Sequence, residues 1–179
     1  MSTMRKLVSV SEVYARWGYS EIDSQNNRAA YDGLIENVKE LRALRQAGVP
    51  FSQLSEFERK KLATACQRHR QFFSPSTSGI DFFEELPIGR PELALLHVHR
   101  VVSQGSSWMT FEEYEKTSSA DVGDARNVIP PVHYASPVDP LTAGRRDGKL
   151  ELIDGYHRAV SFWRYAPLSG SIPFYLPVE

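Results

Sequence analysis

The chain has 179 residues, 41% of them apolar and 24% charged, which suits one or at most two domains with an ordinary core and argues against disorder. With Lys+Arg 21 against Asp+Glu 22, the formal charge of -1 gives no overall positive field for nucleic acid or anionic lipid, so any basic site must be local. One cysteine, Cys66, excludes an internal disulfide and argues against structural zinc, while the lack of a run of roughly 18 apolar residues or of a signal peptide predicts no membrane insertion and a cytoplasmic location.

Residues 9–17 predict a short helix ended by Gly18. Between residues 24 and 47, Tyr31, Leu34, Ile35, Val38, Leu41 and Leu44 recur at three or four positions, the period of one helix face. One long helix is expected there, stopped by Gly48, which adopts left-handed backbone, and by Pro50, which cannot continue the ladder. A further helix is predicted from residue 55 to about residue 73, opened by a reciprocal cap between Ser55 and Glu58. Its inward face reads Phe57, Leu62, Ala65, Cys66, His69 and Phe73, making Cys66 a small core residue. The charges Arg59, Lys60, Lys61, Arg68 and Arg70 read as a solvated face, with a DNA or partner face as the alternative. Residues 74–79 are turn formers and a candidate linker.

Residues 93–102 (LALLHVHRVV), bounded by Pro91 and Gly105, predict a buried strand. Thr110 with Glu113 repeats the capping pair and predicts a short helix through Tyr114. A proline-led strand is expected at residues 128–134, a Pro-, Gly- and Arg-rich turn at 136–148 and a strand at 150–153. A helix over 158–165, with Ala159, Phe162 and Trp163 inward, and a strand over 172–176 complete the chain. The expected organisation is a helical region at 1–78 and a mixed-sheet domain at 79–179, packed as one unit.

The stretch 150–159 (LELIDGYHRA) is the most informative. A strand ends, Gly155 turns the backbone, and a helix opens with Tyr156, His157 and Arg158, so free N–H groups and a cation converge on one point. That arrangement favours phosphate, each charge interaction at a helix N-terminus being worth roughly 0.3–1 kcal/mol, with a bidentate arginine adding geometric fit. The plainer reading pairs Arg158 with Asp154 or Glu151 and merely braces the turn. Asp154 and Glu151 could also hold Mg²⁺, which needs only one or two carboxylates beside phosphate oxygens; a salt bridge to Arg158 or Arg164 is the alternative.

The run IDGYHRA resembles the signature of the ParB/sulfiredoxin superfamily, in which a strand, a glycine turn and a His-Arg helix start bind nucleotide phosphates. In the same order, LALLHVHRVV resembles the superfamily's opening strand, and residues 110–117, 129–132 and 172–176 resemble its short helix, its proline-led second strand and its strand after the signature. The resemblance spans roughly residues 91–178 and implies an α+β fold, a ParB/sulfiredoxin-like mixed sheet behind an N-terminal helical region. It implies ATP held by Asp154, Gly155, Tyr156, His157 and Arg158 with Arg100 across from them. Arg158, His157 and Arg100 are then the catalytic residues, Arg158 as phosphate clamp and His157 as candidate base. Tyr156 stands where sulfiredoxins place their cysteine; a phenol of ordinary pKa about 10 cannot do sulfinate repair, so that activity is excluded. Partition ParB proteins follow this box with a helix-turn-helix and a dimerising tail, which are not expected after Glu179.

The N-terminal helical region and the opening LVSVSEVYARWGYSEIDSQNNRAAYDGLIENVKEL are similar to the oncogenic-suppression class of plasmid fertility inhibitors. That similarity implies a cytoplasmic bacterial protein, nuclease-like and ATP-hydrolysing, that acts on DNA without sequence specificity. It would suppress plasmid and T-DNA transfer through a type IV secretion system, a component of which, or its substrate, would be a partner. A non-catalytic inhibitor docking on that machinery and a small-molecule kinase are the alternatives. Two further features remain. His97 and His99 share one face of a strand and could ligate a metal, though no third ligand follows by spacing. Arg145 and Arg146, in the expected loop, are candidate nucleic-acid contacts.

Overall fold

Three N-terminal caps, at Ser9, Ser55 and Thr110, start helices where the chain offers a hydroxyl to an amide three residues on. The computed structural model describes residues 6–102, 105–117 and 140–178, with backbone alone for Phe72, 99–102, 105–107 and Thr117. The protein is α+β, with eight helices and a seven-stranded mixed sheet among the described residues. Contacts gather it into two compact units, Val8–Ser74 and Met1–Leu7 with Pro75–Glu179.

In the unit Val8–Ser74, α1 (Val10–Glu21) runs through Gly18 instead of ending there. The glycine is required by packing: a Cβ would lie 2.9 Å from the Leu62 carbonyl oxygen on α4 (Glu56–His69). The single helix expected over 24–47 is two, α2 (Arg28–Leu34) and α3 (Val38–Gln46). Ile35 is extended and Asn37 is left-handed at φ 60°, which a short amide side chain tolerates, so the apolar period continues across a break. Gly48, at φ 75°, closes α3 as expected, the Val49 amide bonding the Leu44 carbonyl at 3.0 Å. The Ser55 amide donates to the Glu58 carboxylate at 2.6 Å and the Glu58 amide to the Ser55 hydroxyl at 3.3 Å, completing the expected box. Helix α4 stops at His69, and a separate turn of 3-10 helix covers Gln71–Phe73.

Leu62, Ala65 and Cys66 are buried on α4 as the periodicity indicates, but Phe57 is 67% exposed and leaves that face. The basic residues of α4 and Arg70 just after it do not form one free surface. Arg70 pairs with Glu21, whose carboxylate also accepts the Tyr31 hydroxyl, and Arg59 donates to the Ser52 carbonyl. Arg42, 5% exposed, is fixed by donating to the Ile22 and Arg28 carbonyls and to Asp32.

The sheet consists of β1 (Lys6–Ser9), of which only Lys6 and Leu7 belong to the second unit, and of β2 (Phe82–Ile88), β3 (His97–Val102), β4 (Gly105–Thr110), β5 (Leu141–Arg146), β6 (Lys149–Asp154) and β7 (Ile172–Pro177) within that unit. Their order is β1-β2-β7-β5-β6-β3-β4, with β3–β6 and β5–β7 parallel and β2–β7, β3–β4 and β5–β6 antiparallel. On one face Leu141, Leu152, Phe174 and Val98 form a core with Leu93 of α6 (Arg90–Leu95), Phe111 of α7 (Phe111–Thr117), and Ala159 and Phe162 of α8 (Tyr156–Tyr165).

The strand expected over 93–102 is therefore a helix followed by a strand. Glu92 accepts the Gly89 amide at 2.9 Å and Pro91 sits in the first turn, so helix-starting signals override the apolar run. The candidate linker at 74–79 is mostly the short helix α5 (Ser74–Thr77), whose Ser76 is fully buried. Its carbonyl oxygen lies 2.5 Å from where a Cβ on Gly144 would be, so that glycine makes room for it. The turn expected at 136–148 contains strand β5, joined to β6 by Asp147 and Gly148 at φ 50° and 72°, the two positive angles of a tight hairpin turn. The proline-led strand expected at 128–134 lies outside the described residues.

Candidate functional site

Strand β6 delivers Asp154 to the sheet end and Gly155 carries the chain into α8 at φ 83°. Only glycine suits the corner: a Cβ would sit 2.6 Å from Leu141 Cγ and 3.0 Å from a terminal nitrogen of Arg158. Gly155, the N-cap residue, has no side chain with which to cap the first turn of α8, and the amides of Tyr156, His157 and Arg158 face the N-terminal end of that helix. The Arg158 guanidinium folds back over this turn and pairs with Asp154 Oδ2 at 3.3 Å, longer than the 2.7–2.9 Å usual for a charge-assisted bond. The side chains are 11% and 24% exposed, so the cation is largely lodged against the junction. His157 is exposed on the same turn.

Tyr156 belongs to an aromatic cluster instead of pointing to open solvent. Its ring meets Tyr114 at 5.2 Å and Phe111 at 6.2 Å, and Trp163 joins Phe111 at 5.7 Å. Its hydroxyl is buried with no hydrogen-bond partner among the described residues. This clamps the start of α8 to α7, whose own start is the expected Thr110–Glu113 box: Thr110 donates its amide at 2.8 Å and Glu113 its amide at 3.2 Å. The Thr110 amide, then its hydroxyl, hold the Glu113 carboxyl below the usual carboxylate range.

The two carboxylates considered for Mg²⁺ have different surroundings. Thr142 pairs with Asp154 and Ala143 with Leu152, so Ile153 is an extra residue in β6, and this bulge turns Asp154 to the same face as Glu151. Glu151, 4% exposed, accepts the Ser76 hydroxyl at 2.5 Å. Arg164 pairs with Glu115 at 2.9 Å.

Arg100 and His99 lie on β3, and their side chains are outside the described residues. His97 packs edge-on to Trp108 at 6.4 Å, and no group of three metal-ligating side chains occurs among the described residues. Arg145 and Arg146 stand on β5 instead of in a loop, Arg145 lining a groove with Gly79 and Gly148 and Arg146 lying over Trp108 at 5.9 Å. Sequence reasoning alone misses Leu141 beneath Gly155, Ser76 against Glu151, and Trp108 beside Arg146. The Asp147-Gly148 dipeptide is the available signal for the hairpin that places the last.

Comparison with protein-family models, with curated proteins and with solved structures finds no match to this chain. No helix among the described residues is long and apolar enough to cross a membrane.

Proposed function

We propose that the β6–α8 junction holds the phosphates of ATP and that the protein, a ParB/sulfiredoxin-like fold, uses it in nuclease-like action on DNA, suppressing plasmid and T-DNA transfer through a type IV secretion system from the bacterial cytoplasm. The observation that carries the reading is the corner at Gly155. A left-handed glycine with no room for a Cβ, a helix start whose N-cap residue has no side chain and a guanidinium folded over it form an anion-binding geometry.

The residues fit a phosphate better than they fit a second metal carboxylate. The amides of Tyr156, His157 and Arg158 are oriented to donate to phosphate oxygens, and Arg158 is set to clamp them once Asp154 yields its long contact. Bound Mg-ATP would supply the leaving group and the charge neutralisation of phosphoryl transfer. Asp154 is the carboxylate suited to face Mg²⁺, whereas Glu151 is engaged by Ser76 and does not fit a direct ligand. An imidazole nitrogen of the exposed His157 is the candidate to accept a proton from water. Arg100 is retained as the second cation on the resemblance alone.

Arg158→Ala tests this reading. ATP hydrolysis, DNA degradation and suppression of transfer in a mating assay are all expected to fall while the protein remains folded. The limited exposure of Arg158 favours, as a second reading, an inhibitor that docks on the secretion machinery or its DNA substrate without catalysis. Suppression that survives in Arg158→Ala would select that second reading.

A further inference from the structure

We propose that Trp108, flanked by Arg146 and Lys149, is a stacking platform for single-stranded nucleic acid. The inference rests on the DNA-directed part of the reading above and names the surface that would meet the strand.

The register assembles this surface. Strands β5 and β6 pair Gly144 with Glu151 and Arg146 with Lys149, so the two cations share the sheet face of Glu151. Glu151 pairs with His97 of β3, and β3 pairs His99 with Trp108 of β4, which brings the indole to that same face. The Arg146 guanidinium lies 5.9 Å and the Lys149 ammonium 5.7 Å from the indole centroid. His97 holds the indole edge-on at 6.4 Å with an interplanar angle of 74°, and the ring remains half-buried.

Two features point to a ligand that is both flat and anionic. First, Arg146 and Lys149 are directly opposed across a hairpin whose tight turn fixes their register, and like charges so placed repel unless an anion joins them. Second, the two cations stand off from the ring. Both lie over the indole, at 5.9 and 5.7 Å from its centroid, near the outer limit of a cation–π contact, against 4.5 Å for Lys61 over Phe57 and 4.6 Å for Arg16 over Phe51. Cations at that distance, on long side chains, are suited to turn to phosphates while the indole takes a base. An acidic peptide would use the cations but has no need of the ring. In a duplex the bases are already stacked on one another, which favours a single strand.

The test is fluorescence anisotropy of labelled oligothymidylate and oligouridylate of about 16 nucleotides, a duplex of the same length, and polyglutamate, each titrated with the full chain. Single strands should bind more tightly than duplex and polyglutamate, and the thymidylate and uridylate arms tell DNA from RNA. Trp108→Ala, with an unchanged melting curve, should loosen single strands roughly 5- to 150-fold, the effect of losing one aromatic–base stack. Trp108→Phe, which keeps a stacking face, should restore most of that loss. Arg146→Ala and Lys149→Ala should each flatten the dependence of log affinity on log salt by about 0.7. Wild-type affinity in folded Trp108→Ala, or polyglutamate binding as tight as the single strands, overturns the inference and leaves the DNA-directed reading standing. A wild type that binds neither single strand nor duplex overturns both.

Discussion

Gly155→Ala measures how closely the β6–α8 corner is built. The added methyl meets two things: the backbone at φ 83°, which costs an L-residue about 1–2 kcal/mol, and Leu141 Cγ at 2.6 Å. Leu141 is fully buried in the sheet core, so it cannot withdraw without repacking, and overpacking of this kind costs about 1–3 kcal/mol. The Arg158 nitrogen at 3.0 Å is the end of a flexible chain and moves at little cost. Gly148 provides the reference: at φ 72° it carries the same backbone cost, but nothing lies within 4 Å of where its methyl would stand. The stiffening of the unfolded chain, about 0.4–1 kcal/mol in favour of alanine, is common to both and cancels. Urea unfolding of the two variants should therefore separate them by about 1–3 kcal/mol, with Gly155→Ala the weaker and the denaturant slope unchanged. Equal midpoints would refute the reasoning, since they would mean that the corner relaxes freely and its geometry is not imposed by the core.

Ser76→Ala removes the hydroxyl that the Glu151 carboxylate accepts inside the protein, and urea unfolding should show a loss of about 1–3 kcal/mol, recovered in part by Glu151→Gln, which no longer leaves a charge unmatched. The Glu113 carboxyl is held below its usual range by Thr110, so its cap on α7 is complete above the ordinary carboxylate range and is lost as pH falls through the depressed value. An NMR titration of the Glu113 carboxyl carbon should show a midpoint below that of an unperturbed glutamate, and Thr110→Ala, which loses the hydroxyl but keeps the amide, should raise it only in part. A wild-type midpoint at the unperturbed value would contradict the assigned cause.

Local signals are legible where a few neighbouring residues settle the outcome. The Ser55–Glu58 and Thr110–Glu113 boxes and the end at Gly48 need only the chain within one turn, and Cys66 follows from the period of α4. Sequence and structure part where distant contacts decide. Gly18 reads as a stop, yet its missing Cβ admits the Leu62 carbonyl from another helix, and Gly144 likewise admits Ser76. The apolar run from Leu93 carries no strand-or-helix preference of its own, so the cap formed by Gly89 and Glu92 decides it. Arg145 and Arg146 read as loop residues because charge and glycine dominate their window, although Asp147-Gly148 is a hairpin signal. At the site, the glycine turn and the helix start are readable from 150–159, but neither the bulge at Ile153 that aligns Asp154 with Glu151 nor the capture of Glu151 by Ser76 has a local signature.

Calorimetric titration of the full chain with ATP, with and without Mg²⁺, on wild type and Arg158→Ala tests the central claim most directly. The account predicts saturable binding to the wild type, strengthened by Mg²⁺ and lost or sharply weakened in a folded Arg158→Ala. Absence of heat in the wild type, or equal affinity in the variant, would contradict it.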